Sequence, residues 1–149
     1  MRLSISEILK KVSESKKFEE RIDLLRQYDN TTLRGILQLC YDKNIKWHLP
    51  EGTPPYKENI YLGQQGNLYK EMRKMYLFLE GGNTNLTKVK RESLFIQLLE
   101  TLSPDDAKLL CSVKDKKMPY KNITVHLVNT AFPGLIPEEQ KEEKNGQDL

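Results

Sequence analysis

The chain has little cysteine and no long apolar run, and both features limit its class. Only Cys40 and Cys111 of its 149 residues are cysteines. Each lies beside a leucine in a helical pattern, which is typical of a small buried thiol, so we expect no disulfide. No segment approaches the roughly 20 apolar residues that a membrane-spanning helix needs. With 38% hydrophobic and 30% charged residues, the composition is that of a soluble globular protein.

Signatures of catalysis and metal binding are also missing. The sequence has no G-x-S-x-G, no G-x-x-x-x-G-K-[ST] and no G-x-G-x-x-G, the patterns that serve acyl transfer and nucleotide binding. Cys40, His48, Cys111 and His126 lack the close pairs of a zinc site. His48 has neither a nucleophile nor an orienting carboxylate assigned to it. We predict a non-enzymatic protein with no catalytic residue, no cofactor and no metal.

Charge is divided along the chain. The formal net charge is +3, of which residues 138–149 contribute −3 and residues 1–137 contribute +6. A basic body allows contact with phosphate or with an acidic protein face, although it lacks the dense patch of a dedicated nucleic-acid binder. The first residues, Met-Arg-Leu-Ser-Ile-Ser, contain no continuous apolar stretch, so we expect no secretory signal.

Apolar residues recur at helical spacing through most of the chain. The pattern is clearest in residues 91–120, where Phe95 and Leu99 belong to one helix and Ser103-Pro104 begins another. Ser4 and Glu7 fit a capping box for a first helix. Residues 67–80 predict a helix with Met75 and Tyr76 facing inward. Further helices are expected at about 16–28 and 32–42, and after 122.

We therefore predict an all-α fold, a compact bundle of about six or seven short helices. Residues 1–137 form a single helical domain, with the N-terminal helices of residues 1–30 as a semi-independent part in one alternative. Residues 138–149 form an acidic tail that we expect to be disordered.

Residues 44–66 interrupt the helical periodicity with three prolines, three glycines and the only tryptophan. A loop of this length is usually functional or disordered, and its apolar residues favour packing on the helices. In one interpretation it is a proline-rich strap whose aromatic residues fill the rim of the core. In the other it is a partner-binding surface, formed by Lys46, Trp47, His48, Tyr56 and Lys57.

Basic residues form three clusters in the sequence. Each lies near a predicted helix end, where a charged side chain is readily solvated. If two clusters meet in the fold, they provide a surface for nucleic acid. The candidate contacts are Lys70, Arg73, Lys74, Lys88, Lys90, Arg91, Lys114, Lys116, Lys117 and Lys121.

Several phrases of the sequence resemble an uncharacterised family, a domain of unknown function, in small proteins from T-even-type tailed phages of marine bacteria. They are Pro50-Glu51-Gly52, Pro54-Pro55-Tyr56-Lys57, Glu80-Gly81-Gly82-Asn83 and Ala131-Phe132-Pro133-Gly134-Leu135. The resemblance covers about Thr32 to Ile136 and leaves out the N-terminal 30 residues and the acidic tail. It carries no activity, and it implies a viral protein made in the cytoplasm of an infected bacterium.

The leading hypothesis is a phage accessory protein that binds a host or phage protein through the long loop and the adjacent basic surface. A nucleic-acid-binding protein is the first alternative, and a small structural virion or assembly protein is the second. We expect no membrane partner. The expected location is the host cytoplasm, with the virion as the alternative, and the oligomeric state stays open.

Overall fold

The computed structural model describes residues 2–61 and 66–138. These residues form seven α-helices, one 3-10 helix and no β-strand, which confirms the predicted mainly α-helical class. None of the described helices has the length and apolar composition needed to cross a membrane. The elements are α1 (Ile5–Glu14), α2 (Phe18–Gln27), α3 (Thr31–Tyr41), α4 (Leu68–Glu71), the 3-10 helix (Met72–Phe78), α5 (Lys88–Thr101), α6 (Pro104–Lys114) and α7 (Val125–Ala131).

Side-chain caps set the first residues of the helices. The Ser4 hydroxyl accepts from the backbone N–H of Glu7 at 3.2 Å, and the Glu7 carboxylate accepts from the N–H of Ser4 at 2.8 Å. The predicted capping box is thereby confirmed. Ser103 caps α6 with Pro104 at its first position, as the sequence indicates. These caps satisfy N–H groups that have no partner within the helix.

The predicted helix at 67–80 is only partly correct. It is α-helical up to Glu71 and then tightens into the 3-10 helix, in which Met75 and Phe78 are buried. A spacing of three matches the three residues per turn of a 3-10 helix, so these two side chains share one face. Tyr76, predicted to face inward, is 53% exposed instead.

Helix α6 lies at the centre of the fold, where it packs against α1, α3 and α5. Its buried Asp106 accepts from the N–H of Ser6 at 3.2 Å and so links it to α1. Helix α2 packs on α7, and the Arg26 guanidinium donates to the carbonyls of Thr130 and Ala131 at the end of α7. The predicted acidic tail lies outside the described residues apart from Glu138.

Helix α5 supplies a matched pair of substitutions that tests this core. Phe95 is 2% exposed and lies edge-on to Phe78, with ring centroids 5.2 Å apart, whereas Val89 is 77% exposed. We expect Phe95→Ala to lower the free energy of unfolding by about 3–5 kcal/mol, because it removes a buried ring and leaves a cavity. Val89→Ala should change it by less than about 0.5 kcal/mol. Urea titration followed by circular dichroism measures both, and equal losses would contradict the assigned core.

Candidate functional site

We call residues 45–61 the strap, because they cross the bundle without forming a helix. Backbone hydrogen bonds attach its first part to the end of the 3-10 helix. The N–H of His48 donates to the carbonyl of Phe78 at 2.7 Å, and the N–H of Glu80 donates to the carbonyl of Lys46 at 2.8 Å. Trp47 therefore has a fixed backbone position between two bonded residues.

The Trp47 side chain points into the fold. Its indole N–H lies 3.4 Å from the carbonyl of Leu39, and its ring lies edge-on to Phe95 with centroids 6.5 Å apart. Half-buried Trp47 and Tyr56 both pack against the core. These two predicted partner-binding residues thus fill the rim of the core, as the first interpretation of the loop requires.

An ion pair at the end of α6 holds the middle of the strap. The Lys114 ammonium donates to the carbonyl of Pro50 at 2.8 Å and to the Asp115 carboxylate at 2.6 Å. That carboxylate accepts from the N–H of Gly52 at 3.1 Å. The two charged side chains are only 2% and 14% exposed. Because both partners also bond to the strap backbone, the pair fixes its position along α6.

The last part of the strap contacts the middle of α6 and is bonded to the end of α5. The N–H of Lys57 donates to the Glu100 carboxylate at 2.8 Å, and Glu58 lies 3.9 Å from Lys108. Beyond the undescribed residues 62–65, the N–H of Gly66 donates to the carbonyl of Thr101 at 2.6 Å. The strap therefore runs from the C-terminal end of α6 towards its N-terminal end.

A cavity of about 570 Å³ lies where α3, α6 and the first part of the strap meet. We call it the basic cavity, because its walls carry more lysines than acidic residues. The charged residues that line it are Lys43, Lys46, Glu51, Lys114, Asp115 and Lys116. The structure thus brings Lys46 from the predicted partner surface together with two members of the predicted nucleic-acid set.

Lys116 caps the C-terminal end of α3. Its ammonium donates to the carbonyls of Leu39 and Asp42, both at 2.8 Å. Its φ of 62° lies in the left-handed region, which non-glycine residues seldom occupy. Burial lowers the pKa of Lys116, and nearby Cys40 and Asp42 oppose that shift. The ammonium therefore stabilises the end of α3 with N–H groups that could otherwise donate to a ligand.

The Cys40 thiol in this cavity is unsuited to nucleophilic chemistry. Burial raises its pKa to about 11, and the positive charge of Lys116 offsets only part of that effect. The thiolate is the reactive form of cysteine, and at neutral pH this group stays protonated. Both cysteines are free and buried.

The other predicted partner-binding residues lie at the surface. Lys46, His48 and Lys57 have exposed side chains, while their backbones take part in the hydrogen bonds described above. Ile60 and Tyr61 follow at the end of the strap, 68% and 64% exposed. The strap therefore buries its aromatic members at positions 47 and 56 and presents its basic members to solvent.

The predicted nucleic-acid contacts divide into exposed and buried residues. Arg91 and Lys114 are 4% and 5% exposed, and their side chains donate to the carbonyls of Leu86 and Pro50. This corrects their assignment, because a buried cation bonded to its own chain does not reach a phosphate. Lys74 pairs with Glu71 at 2.8 Å. The remaining exposed members are Lys70, Arg73, Lys88, Lys90, Lys116, Lys117 and Lys121.

Sequence reasoning missed the residues that hold the strap. Asp115, Glu100 and Lys108 lie 43 or more residues along the chain from the strap residues that they contact. No local pattern indicates such pairs, since their spacing follows only from the packing of α5 and α6.

Taken together, the fold and the site define a small helical domain with an anchored, irregular strap and a basic cavity. The chain belongs to a family whose model, described as "Family of unknown function (DUF6433)", matches residues 8–120. The match includes the strap and all of α6. No curated protein matches the chain. The predicted membership of a family of unknown function is thereby confirmed, and the match begins at residue 8, earlier than the expected Thr32.

Removal of the Lys114 ammonium should loosen the strap. We expect Lys114→Ala to cost about 3 kcal/mol of unfolding free energy, because it leaves Asp115 without its cation in a mostly buried site. The N–H of Gly52 should then exchange with solvent faster. Lys117→Ala is the control at an exposed position, with an expected change below about 0.5 kcal/mol. Denaturant titration and hydrogen exchange measure both effects, and similar results for the two variants would contradict the anchoring role.

The raised pKa of Cys40 predicts how the free energy of unfolding changes with pH. Its folded-state pKa of about 11 exceeds the ordinary value of 9.0, so between these values the unfolded chain releases a proton that the folded chain keeps. The thiol contribution to stability is complete below pH 9 and declines as pH rises towards 11. We expect Cys40→Ala to lose less stability than the wild type across this interval. Denaturant titrations at a series of pH values measure the free energy of unfolding of both proteins. An equal change with pH in wild type and variant would contradict the raised pKa of Cys40.

Proposed function

We propose that this chain is a non-enzymatic phage accessory protein that binds a host or phage protein through the strap and the basic cavity. The resemblance to small proteins of tailed phages supports the viral context, with the cytoplasm of the infected bacterium as its location. The observation that carries the binding role is the anchoring of the strap. Irregular segments held by a rigid scaffold are common carriers of binding residues.

The anchored backbone favours binding because it lowers the entropy lost on association. Lys46 and His48 are bonded through their backbones to the 3-10 helix, and Lys57 is bonded to Glu100. Their side chains are exposed on a backbone that is already ordered. On binding, these side chains lose conformational entropy but the strap backbone does not. A larger part of the contact energy therefore appears as affinity.

Charge indicates the kind of partner. The residues that line the basic cavity include four lysines and only two acidic residues, of which Asp115 pairs with Lys114. An excess of positive charge at a concave surface favours an acidic segment of a protein and speeds its association. We therefore expect the partner to present carboxylates to this cavity.

Nucleic-acid binding is the second candidate, because most of the remaining basic residues are exposed. Lys88 and Lys90 near the start of α5, and Lys70 and Arg73 in and after α4, have solvent-facing side chains. Contacts of this kind bind phosphate without sequence preference and weaken steeply with salt. The two candidates therefore differ in the surface they use and in their response to salt and nuclease.

Two charge-matched double variants separate these candidates. Lys46→Glu with Lys57→Glu reverses two charges on the strap, and Lys88→Glu with Lys90→Glu reverses two at the start of α5. We expect the strap variant to lose at least roughly tenfold in affinity for its partner and the α5 variant to keep it. Trp47→Ala is unsuitable, because Trp47 packs against Phe95 in the core.

The measurement is capture by tagged protein from lysate of phage-infected bacteria, with and without nuclease, followed by quantification of the captured proteins. A protein retained after nuclease by the α5 variant, but lost by the strap variant, supports the proposal. Capture that disappears on nuclease treatment and depends on Lys88 and Lys90 would instead support nucleic-acid binding as the function. Equal behaviour of the two variants would refute the strap as the binding surface.

A further inference from the structure

A second cavity, of about 370 Å³, lies between the strap and α5. It shares Leu49, Glu51 and Lys114 with the basic cavity, but its character is different. Most of its wall is apolar and comes from Leu49, Pro54, Pro55, Phe95 and Ile96. A volume of this size is at the lower end of the range of small-ligand sites, which are typically apolar with a few polar groups.

Glu92 of α5 is an acidic residue in this wall. Its Oε2 atom is buried, and among the described residues it has no hydrogen-bond partner. A buried carboxylate oxygen without a partner loses its hydration and gains nothing in return, which makes it unfavourable. Such atoms are rare in folded proteins, and a water molecule, an ion or a ligand can supply the missing partner.

The neighbouring cations do not pair with Glu92, although the buried Nε of Arg91 also lacks a hydrogen-bond partner among the described residues. Lys114, which also lines the cavity, donates to Pro50 and Asp115. Arg91 precedes Glu92 on the same helix, and consecutive helical side chains point about 100° apart, so they do not pair. Arg91 instead donates to the carbonyl of Leu86. Glu92 thus contributes to this wall a buried carboxylate oxygen that neither Lys114 nor Arg91 satisfies.

We propose that this cavity binds an organic cation, an ammonium or guanidinium group carried on an apolar stem. The cation would satisfy Glu92, and the stem would replace water along Pro54, Pro55 and Ile96. A hard metal ion fits less well, because Ca²⁺ and Mg²⁺ need about six oxygen ligands and this wall is mostly hydrocarbon. The site does not depend on the proposed protein partner, since it uses a different set of side chains from the exposed lysines.

Two probes test the site on the full-length protein. Benzylammonium represents a free amine, and N-acetyl-lysine N-methylamide represents a lysine side chain of another protein. Benzyl alcohol is the uncharged counterpart of the first probe. Titration followed by ¹H–¹⁵N NMR should show shifts at residues 92–96 and at Gly52 and Thr53 for at least one cation, and much smaller shifts for benzyl alcohol. Shifts with benzylammonium alone indicate a free amine as the ligand, and shifts with the lysine derivative alone indicate a side chain.

Variants of Glu92 and Ile96 decide whether this carboxylate and this cavity bind the cation. Glu92→Gln should weaken binding of the cation roughly tenfold, because a charged hydrogen bond becomes a neutral one. Glu19→Gln removes the same charge from an exposed position of α2 outside the cavity wall and should leave binding unchanged. Ile96→Trp should abolish binding by filling the cavity, and it decides the matter if Glu92→Gln does not fold. No shifts with either cation, equal binding of benzyl alcohol, or equal effects of the two glutamate variants would overturn the proposal.

Discussion

The ion pair of Lys114 and Asp115 is the interaction on which the candidate site depends. Both side chains come from the end of α6, and both bond to the strap backbone. An isolated buried charge is very unfavourable, so each of these groups requires the other. Because the pair also needs Pro50 and Gly52 to complete its bonds, the strap has one favourable position along α6. The basic cavity and the smaller cavity near Glu92 both follow from that position, since Lys114 lines each of them.

The strap separates two environments of opposite character. On the side of α3 the walls carry an excess of lysines, and on the side of α5 they are apolar with an unpaired carboxylate oxygen. A strap only one chain thick provides Leu49 and Glu51 to both. Its backbone polar groups bond to α5, α6 and the 3-10 helix, so its side chains are free to define the two cavities. The two binding proposals therefore share these wall residues and depend on different charged groups, the exposed lysines of the strap in one case and Glu92 in the other.

Local sequence signals account for most of the helices and few of the contacts around the strap. Helical periodicity and the caps at Ser4 and Ser103 follow from neighbouring residues, and the structure confirms them. Tyr76 is exposed and not buried as predicted, because a 3-10 helix aligns every third residue, which an α-helical pattern does not anticipate. Lys114 and Arg91 belong to basic runs, a pattern that predicts exposed side chains. Their burial depends on the carbonyls of Pro50 and Leu86, which the fold brings to them.

The hydrogen bonds that attach the strap to the helices explain how an irregular segment can present a fixed surface. Apolar contacts are non-directional and tolerate small shifts of one element against another. A hydrogen bond to a particular carbonyl or N–H loses its geometry after a displacement of about one ångström. The strap has such bonds at Lys46, His48, Pro50, Gly52 and Lys57. The spacing of its exposed basic side chains is therefore set by directed bonds to the helices, and a partner meets the same arrangement of charges in every copy of the protein.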